Sequence, residues 1–236
     1  PKMADNYFSY KAKYSTIKGV GAAPEAIEQT PVVYDLLFEL PWMGSKPDCD
    51  EWMNNYVHAR YGMESVPAGE AGWNLLLNSA LNNTTTLQGP QEAIICGRPS
   101  LTIDKVSSWG GSEIFYDKEK MVKAAFSLLE MGEPASVAGK QNYSYDLCDI
   151  ARQTLTDYSK LLLQSLNSYS QDPTSPDFTE RRDVFLQLIL DIDRLLGTNQ
   201  MFRLGNWTET ARKAAAEVSG ATTATADWYE LNNARQ

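Results

Sequence analysis

Two glycines and a proline shape the run Gly19-Val20-Gly21-Ala22-Ala23-Pro24, which delivers a single carboxylate, Glu25. Just ahead of it, Thr16-Ile17-Lys18-Gly19-Val20 has the short β-branched look of a strand, and Thr30-Pro31 behind it opens an apolar helix. Thr30 is a candidate N-cap, and Pro31 falls at the first helical position, where a missing N–H costs nothing. In a barrel of alternating strands and helices, catalytic residues stand at the C-terminal ends of strands, and Glu25 is placed as such a residue would be. The same position also suits an acid that a helix dipole favours. The local pattern leaves both readings open.

Other reactive side chains are sparse. The chain has one histidine, His58, and three cysteines, Cys49, Cys96 and Cys148, far apart and without a CxxC pair. This argues against a zinc site and reads as free buried thiols; no metal or cofactor is expected. His58 lies in Trp-Met-Asn-Asn-Tyr-Val-His-Ala-Arg-Tyr-Gly, an ordinary amphipathic helix, and is taken as structural. Asn82, Asn83, Asn142 and Asn206 fit the N-x-S/T pattern, a short motif that carries little by itself.

The elements that position these residues follow from periodicity. With 236 residues, 43% of them hydrophobic, the chain can bury a substantial core in one or two domains. Its net charge of −9, with lysines and arginines scattered among acids, disfavours nucleic acid and anionic membranes as partners. No apolar run approaches the roughly 20 residues of a membrane span. There is no signal peptide, and the start at Pro1 without methionine reads as a cut from something longer.

Helices are expected over 47–61, capped by Asp48 with Glu51, and over 68–81, with Trp73, Leu76 and Leu77 on one face. Residues 82–112 read as a long loop. Further helices are expected after Asp117 up to Gly132, over 145–169 with Leu147, Ile150, Leu155, Tyr158, Leu161 and Leu162 in its apolar stripe, over 178–196 and over 208–219, with one more in the closing Thr-Ala-Asp-Trp-Tyr-Glu-Leu. Past Gly44 there is almost no strand pattern. The expected fold is therefore mainly α, with residues 45–236 all-helical, preceded in 1–44 by a strand–turn–helix. A lone strand cannot satisfy its ladder, so 1–44 is expected to belong to a sheet whose other strands lie elsewhere, and by itself to pack irregularly, pair with another copy, or move.

Six ordered blocks carry a resemblance: residues 19–42, 52–62, 97–101 (Gly-Arg-Pro-Ser-Leu), 145–155 (Tyr-Asp-Leu-Cys-Asp-Ile-Ala-Arg-Gln-Thr-Leu), 190–207 and 229–235. In these the chain resembles the α-N-acetylglucosaminidases, glycoside hydrolase family 89, whose members have an N-terminal domain, a (β/α) barrel and a C-terminal helical domain. The resemblance implies that 1–44 is the last piece of the barrel and 45–236 most of the helical domain. It places Glu25 at the family's nucleophile, with the acid/base on an earlier barrel strand outside this chain. It further implies a retaining, exo-acting hydrolase of terminal α-linked GlcNAc, in a secreted, periplasmic or lysosomal setting, with a glycan and the rest of the barrel as partners. The chain alone is then expected to be inactive.

By the same resemblance Trp207 becomes a candidate sugar-stacking platform, although a core tryptophan at a helix start fits equally. Arg235 becomes a candidate pocket-lining residue. Arg98, Asp146 and Arg152 read as charges that hold helices together. The family continues beyond the closing block. A different class stays open: a helical binding or scaffold module without catalysis.

Overall fold

The computed structural model describes residues 1–24, 30–62, 66–82, 93–103, 105–106 and 111–234. Within them the fold is mainly α, as periodicity implies. The helices are α1 (Lys2–Lys13), α2 (Pro31–Glu39), α3 (Cys49–Tyr61), α4 (Pro67–Leu77), α5 (Lys118–Met131), α6 (Val137–Asn167), α7 (Pro176–Gly197), α8 (Leu204–Ala216) and α9 (Thr223–Ala234). Short 3-10 turns cover Leu40–Trp42, Ala80–Asn82, Ile94–Cys96 and Gln200–Phe202.

Their ends follow local chemistry. Asp48 accepts hydrogen bonds from the Asp50 and Glu51 amides at the start of α3, and Asp117 does the same for Glu119 and Lys120 in α5. Each satisfies donors that a first turn leaves orphaned. Gly62 ends α3 at φ 67°, ψ 39°, a left-handed cap that a side chain would resist. Pro31 takes the first position of α2, although Thr30 makes no side-chain cap bond. Ser175 caps α7, which opens on Pro176.

Three expectations are corrected. Thr16–Val20 forms no strand: residues 15–16 are a turn and 17–24 have no regular structure, and the β contact among the described residues is an isolated bridge between Lys105 and Gly111. Without neighbouring strands the ladder bonds have no partners, so β-branched composition is not enough. Residues 2–13 instead form a helix, with Met3, Ala4, Tyr7 and Phe8 in or against the core. Helix α6 begins at Val137, eight residues before Tyr145, and beyond Leu155 it buries Ser159, Leu163 and Leu166 while Tyr158 and Leu161 lie exposed.

The chain forms two compact units, Pro1–Asp157 and Tyr158–Gln236, with α6 running through the division. In the first, one core gathers Ala4 of α1, Val32, Leu36 and Leu40 at and just past α2, Trp52, Met53, Val57 and Tyr61 of α3, Trp73 and Leu76 of α4, Ala124 and Leu128 of α5 and Ile150 of α6. Helices α4 and α5 approach closely at Gly72, where a Cβ would stand 2.8 Å from Leu128 Cδ1 and 3.2 Å from the Ala124 carbonyl. Any side chain there would push the pair apart. In the second unit α8 packs along α9, and the buried hydrophobic side chains include Leu163, Leu166, Leu188, Ile192, Ala211 and Ala215.

Candidate functional site

Glu25 and the turn around it, residues 25–29, lie outside the described residues, as does Arg235. What the fold does establish is how the flanks of that turn are held. Residues 17–24 run in without regular structure, and α2 leaves from Pro31. Val32, Leu36 and Leu40, at 2%, 5% and 0% exposure, anchor α2 in the core. The indole Nε1 of Trp52 donates to Glu39 Oε2 at 2.7 Å, which fixes α3 against the far end of α2. Lys46 Nζ reaches Asp5 at 2.6 Å, an exposed pair between α1 and the segment after α2.

The first unit also holds a buried polar network. Arg60 of α3 donates from Nε and an Nη to the two oxygens of Asp146 on α6, at 2.5 and 2.7 Å. Tyr61 Oη donates to the same carboxylate at 2.9 Å, and Trp73 Nε1 of α4 donates to Tyr61 Oη at 2.9 Å. Burial pushes the Asp146 carboxyl upward, against the pull of the Arg60 and Tyr61 hydrogen bonds. It also raises the Tyr61 phenol, so no ionised phenolate competes for Arg60. A bidentate guanidinium–carboxylate pair with its remaining valences filled is the arrangement in which a buried ion pair is tolerated. This network joins α3, α4 and α6, and it ties the block at 52–62 to the block at 145–155.

That is where charge reading from sequence departs from the fold. Asp146 does hold helices together, but through Arg60, while Arg152 pairs within its own helix with Asp149 at 2.6 Å. Arg98 is exposed. His58 is structural in the expected sense: its Nε2 stands 2.6 Å from Glu70 Oε1, linking α3 to α4. That hydrogen bond holds the Glu70 carboxyl below the usual range. Of the three thiols, Cys148 is buried, Cys49 half-buried and Cys96 exposed, and none of them forms a disulfide.

Trp207 sits in the first turn of α8 and is half-buried. The block leading to it is braced by its own backbone: Arg203 donates twice to the Gly197 carbonyl, at 3.1 and 2.9 Å, and Asn206 donates to the Gln200 carbonyl at 2.5 Å. Helix α9, which leads to Arg235, is fixed to α8 by Arg212, which donates to Asp227 at 2.8 Å and to Glu230. Among the described residues no group of three or more His, Cys, Asp or Glu side chains could hold a metal ion.

Residues 52–236 match the α-N-acetylglucosaminidase (NAGLU) C-terminal domain. The chain belongs to that family. Human α-N-acetylglucosaminidase is 32% identical over 225 residues, a match covering 94% of this chain and 28% of the human protein. Structures of a family 89 glycoside hydrolase from Clostridium perfringens share the fold. One in complex with 2-acetamido-1,2-dideoxynojirmycin has a TM-score of 0.83 at 29% identity, covering 98% of this chain and 26% of the other. Another, carrying two glutamate-to-glutamine changes and bound to its substrate GlcNAc-α-1,4-galactose, has a TM-score of 0.85 at 28% identity with the same coverage. The chain thus spans about a quarter of the length of these relatives. No described helix is long and apolar enough to cross a membrane.

The Arg60–Asp146 pair is the residue constellation that sequence reasoning missed. Both residues stand in blocks that carry the family resemblance, but they are 86 positions apart. A single sequence holds no signal that pairs them rather than Asp146 with its neighbour Arg152.

Proposed function

We propose that this chain is the C-terminal part of a retaining exo-α-N-acetylglucosaminidase, with residues 1–44 forming the end of its catalytic barrel and 45–236 most of its helical domain. Glu25 is the nucleophile. Its carboxylate attacks the anomeric carbon of a terminal α-linked GlcNAc while a second carboxyl, on a part of the enzyme outside this chain, protonates the departing glycosidic oxygen. Water activated by that second group then hydrolyses the glycosyl-enzyme ester. Such pairs stand about 5–5.5 Å apart, so a nucleophile must be presented in a fixed place, which the glycines and proline just ahead of Glu25 favour. Trp207 offers an indole face to the sugar and Arg235 lines the pocket. The glycan-cleaving role suits a secreted, periplasmic or lysosomal setting.

The observation that carries this reading is the Pro24-Glu25-Ala26-Ile27 sequence, set between a β-branched segment and a proline-opened helix, in a chain whose relative binds a GlcNAc-α-galactose disaccharide. The test is Glu25→Gln in the longer enzyme, with hydrolysis of an aryl α-GlcNAc measured. A fall of roughly three to five decades with an unchanged melting curve is expected. Turnover near the unmutated rate would remove Glu25 from the chemistry and favour a non-catalytic helical module. In the same assay Trp207→Ala should raise KM by about five- to 150-fold, as loss of one aromatic platform costs about 1–3 kcal/mol. Unchanged kinetics with a lowered melting temperature would assign Trp207 to packing alone. The 236-residue chain by itself should show no turnover.

A further inference from the structure

Helix α5 carries two apolar stripes. Met121, Ala124, Ala125 and Leu128 are buried in the first unit's core, while Val122, Phe126 and Leu129 run along another side of the helix at 39%, 66% and 55% exposure. A surface helix needs one apolar stripe for its core, and a second, exposed one marks an interaction surface. Lys123 and Glu130 are both exposed and stand on one flank of the outer stripe, about 20° apart around the axis at 100° per residue. They lie about 10 Å apart along the helix, too far to pair with each other, and among the described residues neither has an ion-pair partner. The exposed leucines of α7 differ in this respect, because the charges around them are already spent within that helix: Arg182 pairs with Asp183, and Arg194 with Asp191.

We infer that α5 pairs antiparallel with α5 of a second copy of this chain, about a two-fold axis close to Phe126. The order of the residues selects this occupant. A two-fold interface brings residue i to j and j to i, so in an antiparallel helix pair the matched residues lie at equal distances on either side of the axis. Lys123 is three positions before Phe126 and Glu130 four after it, while Val122 is four before and Leu129 three after. One axis therefore sets Lys123 of each copy against Glu130 of the other, Val122 against Leu129, and Phe126 against its own counterpart. Both charge pairs fall on the same edge, because the two-fold keeps each flank beside its equivalent. A parallel pairing would instead set Lys123 on Lys123 and Glu130 on Glu130, and like charges facing each other select against that register. At the two ends Glu119 meets Glu133 of the other copy, and Lys140, 3.2 Å from Glu133, supplies the balancing charge. One helix from each copy makes a small interface, so the dimer is weak and forms as concentration rises.

The test is analytical ultracentrifugation over a range of concentrations, on the 236-residue chain and on the longer enzyme. Both should show a reversible monomer–dimer equilibrium. Lys123→Glu alone and Glu130→Lys alone should each weaken it about tenfold or more, since either change sets like charges against each other at two places in the dimer. An equimolar mixture of these two variants should associate again, and so should the double variant, because each restores opposite charges across the edge. Phe126→Glu should abolish association in every combination. These side chains are exposed, so at concentrations where all variants are monomeric their circular dichroism should match the parent and their melting temperatures should stay within about 2 °C of it. A parent that stays monomeric at high concentration overturns the pairing, as does a dimer that the substitutions leave intact or that the mixed variants fail to re-form. A dimer of the short chain that is absent from the longer enzyme would assign the stripe to the enzyme's own polypeptide and equally overturn it. None of these outcomes depends on Glu25→Gln, which reads the chemistry alone.

Discussion

The two compact units bury different things. The first seals large side chains almost completely, with Tyr61, Leu40, Met53, Leu128 and Val57 near zero exposure, and sets the Arg60–Asp146 pair among them. The second buries four aliphatic side chains and two alanines, while Val184, Leu186, Leu190, Leu204, Trp228 and Leu231 stay exposed. Its charged contacts lie nearer the surface: Arg181 stacks at 3.9 Å on the Tyr169 ring, and Arg212 bridges to Asp227 and Glu230. Buried apolar area stabilises at about 25 cal/mol per Å², whereas exposed ion pairs contribute little. Stability is thus concentrated in the first unit, around a polar network with no slack, and is spread thinly over many small contacts in the second.

Breaking the network should produce the largest effect. Asp146→Ala removes both acceptors of Arg60 and leaves a guanidinium that is 13% exposed without its counter-charge. Loss of one partner from a buried pair costs about 3–5 kcal/mol. Urea denaturation followed by tryptophan fluorescence should report it, since Trp73 hangs on the same network through Tyr61. A loss below about 1 kcal/mol would mean that the site collapses or hydrates easily. Removing both charges, with Arg60→Met and Asp146→Leu, should recover much of the deficit, which separates the cost of the orphan from the worth of the pair.

The contrast between the units also shows which parts of the fold a sequence can carry. Asp48, Asp117 and Gly132 mark helix ends by chemistry that acts within three or four residues, and each stands where the pattern places it. Helix α1 had its signal in Met3, Ala4, Tyr7 and Phe8, at helical spacing, but lay in the shadow of an expected sheet. The Thr16–Val20 strand failed for the complementary reason: a strand is a property of its neighbours, and none stands beside it among the described residues. The late apolar stripe of α6 shifted because Tyr158 and Leu161 satisfy the periodicity without being buried. Of the candidate site, Glu25 and Arg235 lie outside the described residues and Trp207 is half-buried, so the fold speaks to their supports and the tests above speak to their roles.

A second carboxylate in the first unit sharpens the comparison through pH. Asp157 is buried on neutral partners: Tyr116 Oη donates to it at 2.7 Å and Gln153 Nε2 at 3.0 Å. Burial pushes its carboxyl above the usual range, although both hydrogen bonds and the charges of Lys118 and Arg152 pull downward. A folded pKa above the unfolded one means that the folded chain holds this proton more tightly. Its contribution is therefore present at acid pH and is lost as pH rises through the folded value. Asp157→Asn keeps the shape and removes the charge, so the variant should melt roughly 2–4 °C higher at pH 7. The gap should close as pH falls toward the ordinary aspartate range. A gap independent of pH would trace the effect to rearranged hydrogen bonds rather than to ionisation. Glu70, held low by His58, has the opposite sign and loses its contribution on acidification, so the comparison must be made between variant and parent at each pH.

The smallest effect belongs to the second unit. Arg212 is about half exposed at 45%, and so is its partner Asp227 at 60%, while Glu230 is nearly buried at 9%. The guanidinium thus clamps α8 to α9 from the solvent side, where water competes for both partners and salt screens them. Arg212→Ala should leave the overall melting curve almost in place. It should, however, speed amide exchange across α9, because helices of 12 residues are marginal alone and the clamp adds to its packing on α8. The acceleration should shrink when the unmutated chain is itself measured in 1 M salt, which weakens the same clamp. If exchange in α9 is unaffected by the substitution, the helix is held by its packing on α8, and the ion pairs of the second unit are then ornament on an aliphatic core rather than a substitute for a larger one.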